Sequence, residues 1–387
     1  MKKLLPRSHY GLGGSFIICK VMKLLKLKKM AALALGIFAG CGLWVSAEAA
    51  PTVRITQIPL SIPKDYAAVT AKAKFKAAGP TLLFSDSPEM VYQNGILYQD
   101  RVQGKVRLFF HHVNGVAGTK KLAVLLQNDG LRPVQYKLVQ RGIDGPGYNY
   151  MEVGKESQRK YFASKGQVQK SGSMGFGHSQ ELLSGRGILV DTNQLVTGTI
   201  DLELDRPALL SVFMCEPKAD LDLFHSSAKV QPMDEHPLRG TFAKSDWEYT
   251  LKQTITGDKP VKLKLAGTDA EGYIKGVDKT TGLPAENYGN YGVIYKVNFT
   301  VASERPISFI LNPIGGYFAG YGVLEHEGQR QLIALPEYDL CLGETVEEAV
   351  ELGRLKSGQY SFIWSPPGAS NLPIELIWRA RKSSFRK

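Results

Sequence analysis

Between Tyr291 and Val301 every second residue is apolar. Tyr291, Val293, Tyr295, Val297, Phe299 and Val301 make one row, while Lys296, Asn298 and Thr300 take much of the other. An extended chain sends successive side chains to opposite faces, so a period of two predicts a strand with one face on a core. A helix would repeat its apolar positions at three and four.

The same logic applies elsewhere. Leu122 to Leu126 is apolar, Asn128-Asp129-Gly130 is a turn cluster, and Val134, Tyr136 and Leu138 then alternate with Gln135 and Lys137. This predicts an antiparallel hairpin over Lys121 to Val139. Val106 to Val113 is apolar on both faces, as a central strand is. Further strands are expected at Gly187 to Asp191, Leu195 to Leu204, Ala208 to Cys215, Val261 to Leu265, Ile307 to Asn312, Gln331 to Leu335, Gln359 to Trp364 and Ile374 to Arg379. Short strands separated by Gly, Pro and Asn turns predict an all-β fold of two β-sandwich-like, immunoglobulin-like domains with short helical insertions.

The expected boundaries are residues 50–220, with a helical and Gly-rich insertion near 143–186, then 221–378, then a basic tail at 379–387. In the insertion, Asn149 and Glu152 have capping-box spacing, and Val153, Ser157 and Tyr161 share a helical face. Ser171 to Ser179 reads as a flexible connector. Thr345 to Leu355 is amphipathic, with Thr345 and Glu348 in capping-box register. Ala67 to Ala78 is either helical or an extended spacer.

The N-terminal residues read as an export signal. Lys23, Lys26, Lys28 and Lys29 precede the apolar run Met30 to Val45, and Ala47-Glu48-Ala49 offers a cleavage site before Ala50. Met22 is then the expected start, residues 1–49 are removed, and the product is secreted or associated with the cell envelope. Two alternatives use the same residues. Phe38-Ala39-Gly40-Cys41 resembles a lipobox with Cys41 lipidated, and an uncleaved run would anchor the chain in a membrane. The leader holds eight Lys or Arg against one Glu, a net +7 of the formal +12, leaving +5. Five of the remaining basic residues lie in the last nine positions. Nucleic-acid binding needs a basic face on a folded domain, so DNA and RNA are not expected partners.

No catalytic signature emerges. Gly177-His178-Ser179-Gln180-Glu181 has half of a nucleophile elbow and lacks its second glycine. Gly175-Phe176-Gly177 lacks the strand and the third glycine of a dinucleotide fingerprint. His111 and His112 are neighbours in a strand and face opposite ways, and Glu325-His326-Glu327 has the same limit, so neither metal nor cofactor is expected. Cys215 and Cys341 each end an apolar run. They read as separate buried thiols, although an oxidising compartment also admits one bridge between them.

The densest polar stretch is Asp234 to Thr241. With Asp278 and the Asn287-to-Gly292 doublet it supplies acid, imidazole, guanidinium and aromatic groups. Such groups grip sugars or anionic polymers, and Asp234, His236, Arg239, Asp278, Asn290 and Tyr291 are the candidate binding residues. The same residues also fit a hydrogen-bonded linker.

Four segments carry a family resemblance: Leu83-Phe84-Ser85-Asp86-Ser87-Pro88-Glu89, Arg239-Gly240-Thr241-Phe242, Gly289-Asn290-Tyr291-Gly292-Val293, and Pro366-Pro367-Gly368-Ala369-Ser370-Asn371-Leu372-Pro373. Through them the chain resembles a family of uncharacterised secreted β-rich proteins from Firmicute-type bacteria, some labelled copper amine oxidase-like. The resemblance implies no known activity. In copper amine oxidases the cofactor precursor is a Tyr in Asn-Tyr-Asp/Glu. Here Asn287-Tyr288 and Asn290-Tyr291 are both followed by Gly, and the chain has no His-x-His, so copper-quinone chemistry is not expected.

The reading is an exported, non-catalytic protein that binds a glycan, wall polymer or another envelope protein. A carbohydrate hydrolase with Asp234 and Asp278 as its carboxylate pair is one alternative. An assembly factor offering a sheet edge is the other.

Overall fold

The computed structural model describes residues 56–268 and 271–380. The export signal, Met22, Cys41 and all but the first two residues of the basic tail lie outside the described residues. Among the described residues the chain is built of strands in three sheets, with two helices, so the β-rich class is observed.

Two six-stranded sheets face each other. One runs in the order Ile58–Ser61, Glu348–Leu355, Ile307–Asn312, Ile374–Ala380, Val261–Leu265, Val69–Thr70. The other runs Gln329–Leu335, Gly320–His326, Gly358–Trp364, Ile294–Val301, Asp246–Leu251, Ala73–Ala78. Their shared core is aromatic. Phe299 meets Trp378 across it at 5.0 Å between centroids, and Phe309 meets Phe362 at 5.3 Å. Each such pair adds about 0.5–1.5 kcal/mol beyond its area burial. The alternating row supplies this core with Val293, Tyr295, Val297, Phe299 and Val301, all buried. Tyr291 leaves the row because the strand begins only at Ile294, after Gly292 at φ +78°.

The third sheet has twelve strands organised by two long ones, Gly95–Asn114 and Leu195–Cys215, paired antiparallel. The hairpin expected at Lys121 to Val139 does not form. Lys120–Gln127 pairs with residues 209–215 and Val134–Gly147 with residues 195–204, both antiparallel to the same long strand. The two segments therefore continue one another along a single edge. The long strand is irregular between Leu204 and Ala208, where Pro207 has no amide to give the ladder. There the Asp205 carboxylate accepts the Gln135 amide at 2.7 Å. Leu122 and Val124 from one segment and Tyr136 and Leu138 from the other enter one core cluster.

Pairing also crosses the boundary expected at residue 220. The early strands between Ile58 and Ala78 complete the two six-stranded sheets, so residues 67–78 are extended. Conversely Arg239–Phe242 pairs with Thr81–Ser85 and brings Lys275–Val277 and Pro284–Glu286 into the twelve-stranded sheet.

Two local expectations are corrected. Glu348–Leu355 is a strand covered on both sides, which overrides the capping-box spacing. The Glu348 carboxylate instead accepts the amides of Gly343 and Glu344. The first four residues of the supposed flexible connector, Ser171 to Met174, belong to the strand Lys170–Met174, paired with Val134–Leu138.

Helix α1 (Tyr150–Ala163) does start at Asn149, whose side chain accepts the Glu152 amide. It buries Val153, Ser157 and Tyr161. Ser157 donates to Gly142 O at 3.2 Å on the large sheet, and Gln158 accepts the Tyr321 amide at 2.8 Å on a six-stranded one. Lys155 donates to the carbonyls of Pro336, Asp339 and Leu340. Helix α1 thus ties the parts together, while α2 (Leu221–Ser227) is capped by Asp220 and packs Phe224 on Phe213. No helix among the described residues is long and apolar enough to cross a membrane.

Candidate functional site

The strand Thr81–Ser85 ends in Asp86-Ser87-Pro88-Glu89, and the surrounding elements hold this exit in place. His112, on the neighbouring long strand, places Nε2 2.8 Å from Ser85 Oγ and Nδ1 2.9 Å from Pro88 O. A carbonyl only accepts, so Nδ1 carries the proton and Nε2 accepts from the serine. Burial lowers the His112 pKa to about 4, which keeps the ring neutral.

Asp234 accepts the Ser87 hydroxyl and the Glu89 amide, both at 2.8 Å, and the His236 amide at 3.0 Å. Beneath it Arg239 donates to the carbonyls of Ser87, Leu97 and Gln231, to Thr280 Oγ1, and to Asp278 at 2.9 Å. Asp278 also accepts the Thr280 amide and hydroxyl. Burial pushes the Asp278 carboxyl up, but the hydrogen bonds from Thr280 and Arg239 prevail and hold it below the usual carboxylate range.

The expected binding residues therefore divide. Asp234, Arg239 and Asp278 converge around Ser87, where their hydrogen bonds hold the strand exit. His236 is exposed, with Nε2 3.8 Å from Glu235. Asn290 is buried at φ +55°, accepting the Ile274 amide and donating to Gly272 O and the Tyr295 hydroxyl, so it pins its own turn. Tyr291 stacks on Phe84 and donates to Ser370 O at 2.9 Å. The Pro366-to-Pro373 and Gly289-to-Val293 segments thereby meet the Leu83-to-Glu89 segment.

Sequence reasoning missed the groups that face this junction. Asp86 Oδ1 is buried without a hydrogen-bond partner. Burial first, then the charges of Glu89 and Asp234, raise the Asp86 carboxyl well above the usual range. Glu89 is raised by burial and then by Asp234. His111 Nε2 stands 3.9 Å from Glu89 Oε1, and its Nδ1 lies 3.1 Å from Thr197 Oγ1. Burial lowers the His111 pKa to about 3.

Tyrosines border the acids. Burial, then Asp86 and Glu89, raise the Tyr291 hydroxyl, while burial and then Glu89 push Tyr150 up to about 12. Tyr273 meets Tyr288 edge-on at 5.6 Å, and Tyr288 is 49% exposed. The only sequence signal for Asp86 and Glu89 was their place in the Leu83-to-Glu89 segment. Acids three apart at a strand exit match no motif. Chemically, the junction gathers carboxyl groups that hold their protons more tightly than usual beside tyrosine hydroxyls.

Among the described residues no group of three or more His, Cys, Asp and Glu is placed to hold a metal ion. The bridge between Cys215 and Cys341 is not made. Cys215 is a free buried thiol packed with Phe213 and Ala123, and Cys341 lies in a separate cluster beside Met151 and Tyr317.

No family model and no curated protein matches the chain. Among solved structures, YhaK from Escherichia coli is similar at 12% identity over 79% of this chain and 92% of that one, with a TM-score of 0.13. A mutant oxalate decarboxylase OxdC from Bacillus subtilis is similar at 12% identity over 79% and 78%, TM-score 0.13. A mutant phosphomannose isomerase from Salmonella typhimurium is similar at 9% identity over 67% and 66%, TM-score 0.10. At these scores none of the likenesses bears on fold or activity.

Proposed function

We propose that this chain is an exported, non-catalytic envelope or extracellular protein that binds a polyhydroxylated surface polymer, such as a wall glycan, at the junction of Asp86, Glu89 and the bordering tyrosines. The observation that carries the reading is the buried Asp86 Oδ1 with no donor. A buried polar atom left unpaired costs about 1–3 kcal/mol, so a rearrangement that opens Asp86 to a ligand hydroxyl would recover it. Export rests on the leader pattern in the sequence. The test is calorimetric titration of the purified protein with wall polymers and a glycan panel at low and high salt. Binding of one of them, weakened about tenfold in Asp86→Asn, is the expected result. No binding to any of them at low salt ends the reading.

A hydrolase is the second reading, favoured by the raised carboxyls of Asp86 and Glu89, since a general acid must hold its proton near neutral pH. Asp278 is a poor member of such a pair because Arg239 and Thr280 already occupy it. Release of reducing ends from a bound glycan, abolished in Asp86→Asn, would replace the binding reading with this one. An assembly role through a sheet edge is a third reading, but not through Ala73–Ala78, one of several edge strands, whose Lys74 and Lys76 discourage strand addition there.

A further inference from the structure

Away from Asp86, four cations border a trough where the strand Val134–Gly147, helix α1 and the chain after Glu181 meet. Arg141, Arg159 and Lys160 line a cavity of about 620 Å³. Arg141, Gln169 and Leu183 also border an adjoining one of about 190 Å³, together with Lys170.

The acids nearby do not neutralise all four. Glu156 takes Arg159 at 2.6 Å, and Asp144 takes Lys160 at 2.5 Å. Glu181 is occupied by the backbone amides of Val124, Leu183, Ser184 and Gly185. Arg141 and Lys170 have no acidic partner among the described residues. The last turn of α1 accounts for Lys160, since a cation there offsets the helix dipole, but Arg141 lies on the strand.

Arg141 is also held in place. Its Nη1 donates to Leu182 O at 3.1 Å and Leu183 O at 3.2 Å, and Ser164 Oγ bonds both its amide and its carbonyl. Its Nε and Nη2 donors have no partner among the described residues. A guanidinium fixed through one nitrogen, with its remaining donors unspent, is prepared for a planar two-oxygen anion.

We infer that this trough binds an oligomer bearing carboxylate or phosphate groups, with Arg141 making the two-pronged contact and Lys170 the second charge. The larger cavity falls within the roughly 300–1,000 Å³ of ordinary ligand sites. The inference does not rest on the reading of the Asp86 junction.

The test is calorimetric titration of the purified protein with three probes, a galacturonate trimer, a glycerol-phosphate trimer and neutral maltotriose, at low and high salt. One charged trimer binds and weakens with salt, and which one it is separates carboxylate from phosphate as the source. Arg141→Gln weakens that binding about tenfold and Lys170→Gln less, in keeping with charge-assisted hydrogen bonds. Should Arg141→Gln fail to fold, exposed Lys170→Glu decides: loss of binding supports the site and unchanged affinity overturns it. The inference is also overturned if neither charged trimer binds, if maltotriose binds as tightly, or if folded Arg141→Gln binds like the parent.

Discussion

Arg239 donates its Nε proton to Asp278 at 2.9 Å, with side chains only 1% and 2% exposed. The same guanidinium holds carbonyls of Ser87, Leu97 and Gln231, so one buried pair fastens the strand exit to two other segments. Asp278→Ala leaves that cation unpaired and is expected to cost about 3–5 kcal/mol, read as a lower urea midpoint. The double change Arg239→Met with Asp278→Leu costs less than Asp278→Ala alone. Because the folded Asp278 carboxyl is depressed, its contribution is fully present above the unfolded pKa and is lost as pH falls through the folded value.

Asp86→Asn has the opposite sign. A raised carboxyl means that the folded chain binds more protons than the unfolded one, so stability falls as pH rises from about 4 toward the folded value. Asp86→Asn removes that loss. Its thermal midpoint rises at pH 7, and the advantage disappears at the acid end. A lower midpoint at pH 7 would contradict the buried, unpaired state of this side chain.

His111 and His112 act from the acid side. Both are neutral when folded, with pKa values lowered by burial to about 3 and about 4. Below about pH 6.5 the unfolded chain takes up protons that the folded chain refuses, so each ring removes about 1.4 kcal/mol per pH unit until its folded pKa is reached. Asp86 and Glu89 oppose this slope. Urea unfolding of His112→Asn between pH 4 and 7 separates the two, because its acid slope is expected to be shallower than that of the parent.

Gly154→Ala sets local preference against packing. In an isolated helix alanine is better than glycine by about 1 kcal/mol. Here a Cβ at position 154 would stand 2.1 Å from Gly368 O, a backbone atom that cannot swing away. The substitution is expected to lower the thermal midpoint even though helicity propensity rises. A higher midpoint would show that α1 does not press on the Pro366-to-Pro373 segment.

Part of this architecture is written locally. The rows from Val293 to Val301 and from Val134 to Leu138 declare which face is buried, because alternation is a property of the strand itself. Asn149 and Glu152 mark the helix start for the same reason: the cap and the amide it satisfies are three residues apart. Thr345 and Glu348 have that spacing too, yet the flanking strands Ile58–Ser61 and Ile307–Asn312 draw residues 348–355 into a sheet. Asn128-Asp129-Gly130 announces an interruption but not what its flanks pair with.

By itself the sequence determined the β-rich class and the helix at Asn149. The tertiary structure alone decided that residues 120–127 and 134–147 share one partner strand, and that Ile58 to Ala78 closes sheets built from residues beyond 245. It alone brought Asp86, Glu89, His111 and Tyr291 to one place while using Arg239 and Asp278 to hold it. The reason is physical. A period of two fixes the face of a strand, whereas its partner, and the burial that shifts a carboxyl or an imidazole, depend on residues distant along the chain.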